Sequence, residues 1–272
     1  QLSRGLGDVY KRQEELNAFI EFSLQEDVRE GDHTSLACIP PTASGKAQLL
    51  VKENGILAGM EVALAIFEKV NPDIQFFPLM HDGESMTVGD VAFIVEGPSS
   101  SILTAERLVL NCMQRMSGIA TKTQHIVKLL EGTKAQVLDT RKTTPGIRLL
   151  EKWAVKIGGG VNHRFGLYDM MMIKDNHIDF AGGIESAIEK AINYQKDKGI
   201  NIPIEVEARN LEEVNEILRV GNIQRIMLDN FSYEDTRVAV EQIGGRFETE
   251  ASGGITEETI RAVSYTHLTL PT

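Results

Sequence analysis

The spacing of apolar and polar residues divides the chain into two parts with different rhythms. In the first part, apolar residues recur at helical spacing from Glu14 onward, and shorter apolar runs between turn residues then predict strands. A second amphipathic helix is predicted over residues 59–70, and the run DVAFIVEGP at 90–98 predicts the last strand of this part. The mixed order of helices and strands predicts a small α+β domain over residues 14–116.

A long helical stretch follows at residues 102–130, where we predict two helices that meet near Ser117 and Gly118. Beyond it, short apolar runs alternate with amphipathic helices, which is typical of parallel β-α-β units. The predicted strands are AQVLD at 135–139, MMMIK at 170–174, IPIEVE at 202–207, RIMLD at 225–229 and RFETE at 246–250. Because no dinucleotide-binding fingerprint accompanies this alternation, it favours an α/β barrel over an open sheet, and we assign it to residues 117–263.

Each of these predicted strands ends in polar or charged residues. In an α/β barrel the carboxyl ends of the strands gather on one face, and that face carries the chemistry. Alternatively, charged residues could simply occur where strands leave the apolar core. That alternative accounts for one or two polar strand ends, but it is a poor explanation of five. The predicted site therefore combines residues 139–142, Lys174, Glu207, Asp229 with Asn230, and residues 250–254.

The candidate residues fall into three chemical groups. The cations, which suit carboxylates and phosphates, are Arg141, Lys142, His163, Arg164 and Lys174. The acids, which suit Mg²⁺, sugar hydroxyls or a developing oxocarbenium charge, are Glu207 and Asp229. A glycine-rich turn before a helix predicted from Thr256, and therefore a candidate phosphate site, is formed by Ser252, Gly253 and Gly254. These groups predict a site for a polyanionic sugar phosphate and a carboxylate-bearing partner.

Composition narrows the classes of function. The 272 residues carry a formal net charge of -11, which argues against general nucleic-acid binding because that needs a basic face. We find no apolar run long enough to span a bilayer and no secretory signal. Cys38 and Cys112 have no metal-binding spacing, so we expect neither structural zinc nor a disulfide framework, and a cytoplasmic location fits best.

Both ends of the chain differ from what lies between them. Residues 1–13 show no apolar periodicity and no helix cap, and residues 264–272 interrupt the helix predicted from Thr256. We interpret both segments as non-native termini and leave open the alternative that they are natural, frayed ends.

Six motifs, taken in order and spacing, resemble the quinolinate phosphoribosyltransferase family (nicotinate-nucleotide pyrophosphorylase, carboxylating). They are ERLVLNCMQRMSGIAT at 106–121, DTRKTTPGIR at 139–148, GGGVNHRFGLYD at 158–169, MIKDNHI at 172–178, MLDNF at 227–231 and EASGGI at 250–255. The resemblance covers about residues 16–263. It implies a sandwich domain followed by an incomplete α/β barrel, and a Mg²⁺-dependent pentosyltransferase of NAD biosynthesis. That enzyme converts quinolinate and phosphoribosyl pyrophosphate into nicotinate mononucleotide, carbon dioxide and pyrophosphate.

The resemblance also implies a role for each candidate residue. The residues around the two quinolinate carboxylates would be Arg141, His163, Arg164 and Lys174, with Thr140 and Lys142 on the quinolinate or pyrophosphate side. Glu207 and Asp229 would lie near the ribose and its metal, and the 5-phosphate would bind at residues 252–254. Arg107 would enter the site from the neighbouring subunit of a homodimer or higher homo-oligomer. Lys174, Glu207 and Asp229 would be the catalytic residues.

One departure from the family and three alternatives stay open at this point. The family continues after the SGG helix into another strand and a glycine-containing phosphate loop, where this chain has SYTHLTLPT. We therefore expect a barrel truncated at its C-terminal end and a half-built phosphate site. The alternatives are a related phosphoribosyltransferase with another aromatic acceptor, a Schiff-base lyase built on Lys174, and an inactive, truncated remnant that still binds ligand.

Overall fold

The computed structural model describes residues 2–266, with side chains for residues 12–265, and these residues form two compact units. The first unit combines the chain up to Val127 with Val137–Asn162, and the second combines Lys128–Gln136 with the chain from His163 onward. Each unit has an apolar core of its own. The boundary expected between residues 116 and 117, and the expected foreign origin of residues 1–13 and 264–272, stay predictions. Residue 1 and residues 267–272 lie outside the described part of the chain.

The first unit is a mixed α+β structure, as its mixed apolar pattern predicts. Its helices are α1 (Leu2–Asp27), α2 (His33–Cys38), α3 (Met60–Val70), α4 (Ser99–Leu129) and α5 (Arg148–Ile157). Its strands are β1 (Ser44–Leu50), β2 (Gly55–Ile56), β3 (Gln75–Pro78), β4 (Ser85–Met86) and β5 (Val91–Pro98). An antiparallel sheet has the order β1-β5-β3, and β2 pairs with β4. Ile66 of α3, Phe93 of β5 and Met116 of α4 share the buried core of this unit.

Two predictions for this region are wrong. The long helical stretch is the single helix α4, without a break near Ser117 and Gly118. Ser117 is buried in α4 and its hydroxyl is hydrogen-bonded to the main chain of Ala58, at 3.0 Å from the nitrogen and 3.2 Å from the oxygen, so a helix-weakening residue serves a tertiary contact. The run AQVLD is not a strand, because its only ladder contact among the described residues is an isolated parallel bridge from Leu138 to Val161. Helix α5 was not predicted, and neither was a short helix at Asp175–Ala181 in the second unit.

The second unit contains a parallel sheet with strands in the order β6-β7-β8-β9. The strands are β6 (Met171–Ile173), β7 (Ile204–Ala208), β8 (Arg225–Asp229) and β9 (Glu248–Ser252). The helices are α6 (Asp175–Ala181), α7 (Ile184–Lys198), α8 (Leu211–Val220), α9 (Tyr233–Ile243) and α10 (Ile260–Thr266). The α/β class and four of the five predicted strands are thereby confirmed, whereas truncation of the barrel stays a prediction. The last helix begins at Ile260 and not at Thr256, whose main-chain nitrogen instead donates to Thr259 Oγ1 at 2.8 Å.

The two faces of this sheet have different chemistry. Val206 and Ala208 of β7 and Ile226 and Leu228 of β8 pack into the apolar core with the helices. The residues between them point to the opposite face, because side chains alternate along a strand. On that face Glu205 pairs in register with Arg225, Glu207 with Met227, and Asp229 with Ser252. The parallel sheet thus presents a polar face that continues to its carboxyl edge.

Candidate active site

The carboxyl ends of β6 and β7 bring a cation and an acid together. Lys174 directly follows β6, and its Nζ lies 3.0 Å from Oε2 of Glu207 on β7. The Lys174 side chain is 45% exposed, whereas that of Glu207 is 10% exposed, so the ammonium group reaches solvent above a buried carboxylate. The pairing follows from the register, which places Ile173 beside Val206 and hence Lys174 beside Glu207.

The next two strand ends form a turn around a small cavity. Asp229 pairs with Ser252, and the main-chain nitrogen of Asn230 donates to Ser252 O at 2.8 Å. Gly253 has a φ of +83°, and a Cβ at this position would lie 2.2 Å from Asn230 Oδ1, so only glycine fits. A cavity of about 380 Å³ is lined by Ser252, Gly253 and Gly254 together with residues at the start of α9. This cavity places the predicted phosphate turn beside a helix N-terminus.

Glu207 and Asp229 offer oxygen ligands of the kind that Mg²⁺ prefers. Both lie on the polar face of the sheet. Glu207 pairs with Met227 on β8, and Asp229 is two residues further along the same strand, so its side chain points to the same face as that of Met227. Proteins hold Mg²⁺ through one or two carboxylates, with substrate phosphates and water completing the shell. One oxygen of each carboxylate has a protein donor, Lys174 Nζ for Glu207 and Asn230 Nδ2 at 2.7 Å for Asp229. The donor set therefore fits a magnesium ion shared with a substrate.

A second group of titratable residues lies on the same face, further from the carboxyl edge. His163 is 9% exposed, and its Nε2 lies 2.8 Å from Glu205 Oε2 and 3.2 Å from Glu250 Oε2. Arg225 lies beside both acids, with Nη1 3.2 Å from Glu250 and 3.9 Å from Glu205. Glu205 is fully buried, and its Oε1 has no hydrogen-bond partner among the described residues. We call these residues (His163, Glu205, Arg225 and Glu250) the histidine cluster.

The histidine cluster shifts the protonation equilibria of its members. The hydrogen bond with Glu205, and then that with Glu250, raises the pKa of His163 to about 9. Burial raises the pKa of Glu205, whereas contacts with His163 and Arg225 lower that of Glu250 in spite of burial. The main-chain nitrogen of Arg164 donates to His163 Nδ1 at 2.7 Å, which requires an unprotonated Nδ1. A pKa of about 9 favours the imidazolium at neutral pH, whereas the N–H of Arg164 directed at Nδ1 requires the neutral Nε2–H tautomer. The two observations conflict, and we follow the hydrogen-bond geometry because the position of the main-chain amide is fixed by the backbone.

The loop at residues 139–148 in the first unit is held from within. The Arg148 side chain folds back onto it, donating from Nε to Thr143 Oγ1 at 3.0 Å and from Nη2 to Arg141 O at 3.3 Å. At its start, Asp139 is ion-paired with the buried Lys152. The Nε of Arg141 is buried without a hydrogen-bond partner in the described structure. Arg148 thus shapes the loop, while Arg141 carries a donor that a bound anion could satisfy.

A second anchor fixes the middle of the same loop. Glu151 is buried on α5 and accepts from Arg115 Nε at 2.9 Å, from Arg115 Nη2 at 2.7 Å and from the Thr144 main-chain nitrogen at 3.0 Å. Burial alone would raise the pKa of Glu151, but the hydrogen bonds from Arg115 and Thr144 lower it overall. Sequence reasoning did not single out Glu151, Lys152 or Arg115.

The remaining candidates have simple surroundings. Thr140 and Lys142 are exposed, and Thr140 Oγ1 accepts from the Lys142 main-chain nitrogen at 3.0 Å. Arg107 is exposed on α4. The Arg164 side chain is half-buried and donates to Met170 O at 3.3 Å. The substrate contacts expected of these residues stay predictions.

The histidine cluster was only partly visible in the sequence. His163 and the end of β9 were candidates, but Glu205 and Arg225 were not. A usable signal was present, because the run IPIEVE puts two glutamates two residues apart in an otherwise apolar strand. Such spacing places both acids on one face, and a buried acid needs a partner there.

Parallel strands whose carboxyl ends carry cations, acids and a glycine turn define an α/β enzyme with a site for anionic substrates. The sequence matches two family models, described as "Quinolinate phosphoribosyl transferase, N-terminal domain" over residues 32–117 and "C-terminal domain" over residues 119–270. The chain belongs to the quinolinate phosphoribosyl transferase family.

Named relatives and solved structures agree with this assignment. The chain is 45% identical over 270 residues to the chloroplastic nicotinate-nucleotide pyrophosphorylase [carboxylating] of Arabidopsis thaliana, covering 94% of this chain and 77% of the relative. It is 40% identical to a probable nicotinate-nucleotide pyrophosphorylase [carboxylating] of Bacillus subtilis, covering 91% of this chain and 84% of the relative. The crystal structure of NadC from Streptococcus pyogenes is similar with a TM-score of 0.84 at 38% identity, covering 90% of this chain and 86% of that one. The nicotinate-nucleotide pyrophosphorylase from Francisella tularensis has a TM-score of 0.85 at 38% identity, covering 93% and 88%.

Within the described residues, no helix is both long and apolar enough to cross a membrane.

Proposed function

We propose that this chain transfers the phosphoribosyl group of phosphoribosyl pyrophosphate to quinolinate with decarboxylation. The products are nicotinate mononucleotide, carbon dioxide and pyrophosphate, in NAD biosynthesis. Family membership supports this reaction. The observation that carries it is the carboxyl edge of the parallel sheet, where the Lys174–Glu207 pair adjoins Asp229 and the glycine turn at 252–254.

The proposed transfer develops charge on the ribose and on the leaving pyrophosphate, and acidic and basic residues of the site are suited to stabilise it. As the quinolinate nitrogen attacks the anomeric carbon, pyrophosphate leaves with the bonding electrons, so positive charge develops on the ribose. The carboxylates of Glu207 and Asp229 stabilise that charge, and Lys142 stabilises the leaving group. Arg141, whose buried Nε has no hydrogen-bond partner among the residues that the structure describes, is suited to hold a quinolinate carboxylate.

Decarboxylation follows once the nitrogen carries the ribose. The 2-carboxylate leaves as carbon dioxide, its bonding electrons stay on the ring carbon, and that carbon takes up a proton. The cations that bind quinolinate, which include Arg164 and Lys174, serve to orient it for this loss. A bound Mg²⁺ would supply neutralising charge at the pyrophosphate oxygens, and Glu207 and Asp229 would hold it directly or through substrate and water.

The alternatives differ from this proposal in measurable ways. The Lys174 ammonium is ion-paired with Glu207, the arrangement of an anion-binding group rather than of a nucleophilic amine. We therefore expect no Schiff base to be trapped by borohydride in the presence of a carbonyl substrate. A related acceptor, such as a monocarboxylate, would leave one of the proposed carboxylate-binding cations without a partner.

The test is an activity assay on the full chain with phosphoribosyl pyrophosphate and Mg²⁺. We expect quinolinate to be consumed with equimolar release of carbon dioxide and pyrophosphate, and nicotinate to be inert. Removing one partner of a desolvated charge pair costs about 2–5 kcal/mol, and Lys174→Ala should weaken quinolinate binding by the lower end of that range because the Lys174 side chain is 45% exposed. Equal turnover of nicotinate, or no turnover of either acid, would contradict the proposal.

We further propose a homodimer or higher homo-oligomer with shared active sites, in which Arg107 serves the neighbouring subunit. Its exposure on α4 supports this role. Arg107→Ala and Lys174→Ala chains, each inactive alone, should regain activity after mixing and subunit exchange. Mixed oligomers without activity would refute the shared site. A cytoplasmic location also stays a proposal, because the names of relatives include chloroplastic and mitochondrial forms.

A further inference from the structure

The loop at residues 139–148 has no apolar anchor of its own. None of residues 140–148 is buried, and the first buried apolar side chain after them is that of Leu150. Segments with few buried apolar contacts open easily, so the conformation of this loop depends on its polar contacts. The loop carries Arg141 and Lys142, to which the proposed function assigns anionic groups of the substrates.

The first turn of α5 supplies polar contacts to the loop from two side chains. Arg148 and Glu151 are three residues apart in α5, and residues at this spacing are neighbours on the surface of a helix. Arg148 donates from Nη2 to Arg141 O at 3.3 Å and from Nε to Thr143 Oγ1 at 3.0 Å. Oε2 of Glu151 accepts from the main-chain nitrogen of Thr144 at 3.0 Å. The two side chains therefore hold the main chain of the loop at two points, one of which is Arg141.

A tight turn brings α5 back beside the loop. Pro145 and Gly146 occupy its central positions, Gly146 has a φ of +86°, and the main-chain nitrogen of Ile147 donates to Thr144 O at 3.4 Å. Proline followed by a glycine with positive φ is typical of a type II turn. The turn reverses the chain within four residues, so that Arg148 can fold back onto Arg141.

The side chain of Glu151 is itself held on both oxygens. Its other oxygen, Oε1, accepts from Arg115 Nε at 2.9 Å and from Arg115 Nη2 at 2.7 Å. The same Nη2 lies 3.3 Å from Thr144 Oγ1, so the hydroxyl and the main-chain nitrogen of Thr144 both contact this ion pair. Leu150 and Ala154 of the same helix are buried in the core of the first unit. The loop is therefore attached to a helix that is fixed by apolar packing.

We propose that Arg148 and Glu151 are positioning residues for quinolinate binding, which hold the loop so that Arg141 meets a quinolinate carboxylate. In this arrangement Arg148 does not itself bind the substrate, because its guanidinium is engaged with Thr143 and with the main chain of Arg141. The inference rests on the proposed function for its substrate, whereas the contacts between α5 and the loop are independent of it.

The first experiment measures positioning without substrate, by hydrogen exchange of the Lys142 main-chain amide in the full chain. This amide donates to Thr140 Oγ1 at 3.0 Å, so it reports the order of the loop and not the loss of a bond to Arg148 or Glu151. Arg148→Lys keeps the charge but not the fork of donors, and Glu151→Gln keeps the shape but not the charge. Each should accelerate the exchange about tenfold, as expected for a loosened local anchor. An unchanged rate in either folded variant would overturn the inference. If Glu151→Gln fails to fold, Arg115→Lys, which loosens the same carboxylate, takes its place.

Lys156→Met is the matched control for these variants. Lys156 is exposed in the last turn of α5, so the substitution removes a charge from the same helix at the end far from the loop. Exchange of the Lys142 amide should stay at the wild-type rate. An acceleration equal to that in Arg148→Lys would mean that the helix as a whole sets the loop, and would overturn the inference.

The second experiment asks whether the effect on quinolinate passes through Arg141. Arg148→Lys should raise the KM for quinolinate about tenfold and change kcat less than about twofold, because a displaced Arg141 weakens ground-state and transition-state binding alike. In an Arg141→Lys background the same substitution should have little further effect on this KM, because coupled residues are not additive. An undiminished effect would mean that Arg148 contacts quinolinate directly, and would overturn the inference. Absence of quinolinate turnover in the wild type, with exchange of the Lys142 amide still responding to Arg148→Lys, would instead refute the proposed function alone.

Discussion

Replacing Lys152 by methionine tests the buried ion pair at the base of the 139–148 loop. The Lys152 side chain is 1% exposed and that of its partner Asp139 is 7% exposed, so the pair is shielded from water. Lys152→Met keeps most of the side-chain volume but removes the ammonium group from beside a buried carboxylate. Breaking a buried pair in this way costs about 3–5 kcal/mol. Asn162 Nδ2 still donates to Asp139 Oδ2 at 2.6 Å, which places our expectation at the lower end of that range.

The assay is urea unfolding followed by tryptophan fluorescence. Trp153 is the only tryptophan in the chain and lies next to Lys152 on α5, so the signal reports on the first unit. Lys152→Met should lower the free energy of unfolding of this unit by about 3 kcal/mol, a large fraction of a typical 5–15 kcal/mol.

The double variant Lys152→Met/Asp139→Asn separates lost charge from lost packing. Its stability should recover by about 1–2 kcal/mol relative to the single variant, because no uncompensated carboxylate remains buried. A Lys152→Met chain as stable as the wild type would refute the reasoning. So would a second substitution that only adds to the damage.

Two further predictions concern the remaining anchors. Gly253→Ala should weaken the binding of phosphoribosyl pyrophosphate about tenfold, as measured by calorimetry. The new Cβ would clash with Asn230 Oδ1, and the left-handed backbone at this position would add a strain of about 1–3 kcal/mol for any residue other than glycine. Gly254→Ala, which has a φ of +65° and no atom within 4 Å of its new Cβ, is the control, and equal losses in both would point to backbone strain alone. A double-mutant cycle with Arg115→Met and Glu151→Gln should give a coupling free energy of unfolding of about 1–2 kcal/mol at pH 7. This value is lower than for a fully buried ion pair, because the Arg115 side chain is 55% exposed and solvent screens the contact. The pKa of Glu151 is lowered in the folded state, so the coupling free energy should be complete at pH values above 4.5, the ordinary pKa of a glutamate. It should decline as the pH falls through the folded-state pKa. A coupling that does not change with pH would argue against an ionic contact.

The helices of the second unit could be predicted because their signals are local. The runs LEEVNEILRV and YEDTRVAVEQI, in which apolar residues recur at helical spacing, form α8 and α9. Each has an apolar stripe and a capping side chain before it: Asn210 accepts from the Glu213 main-chain nitrogen, and Ser232 from that of Asp235. Such features need no distant residue to take effect.

The errors arose where a distant contact decided the outcome. Ser117 and Gly118 resemble a helix break in the sequence, but Ser117 gains a partner in Ala58 and α4 continues. AQVLD has the composition of a strand, yet a strand exists only when a neighbour pairs along its length, and here one bridge at Leu138 forms.

The candidate site shows the same division. Period-two alternation and polar strand ends determined which residue types face the carboxyl edge, so Lys174, Glu207 and Asp229 could be chosen from the sequence alone. The partners of His163 could not, because Glu205 and Glu250 are 45 residues apart in the chain and meet only through the register of β7, β8 and β9. The local pattern determines the face of the sheet on which a side chain lies. Its partner on the neighbouring parallel strand depends on the register between the two strands. That register depends on how the connecting helix packs against the sheet, and therefore only on the folded protein.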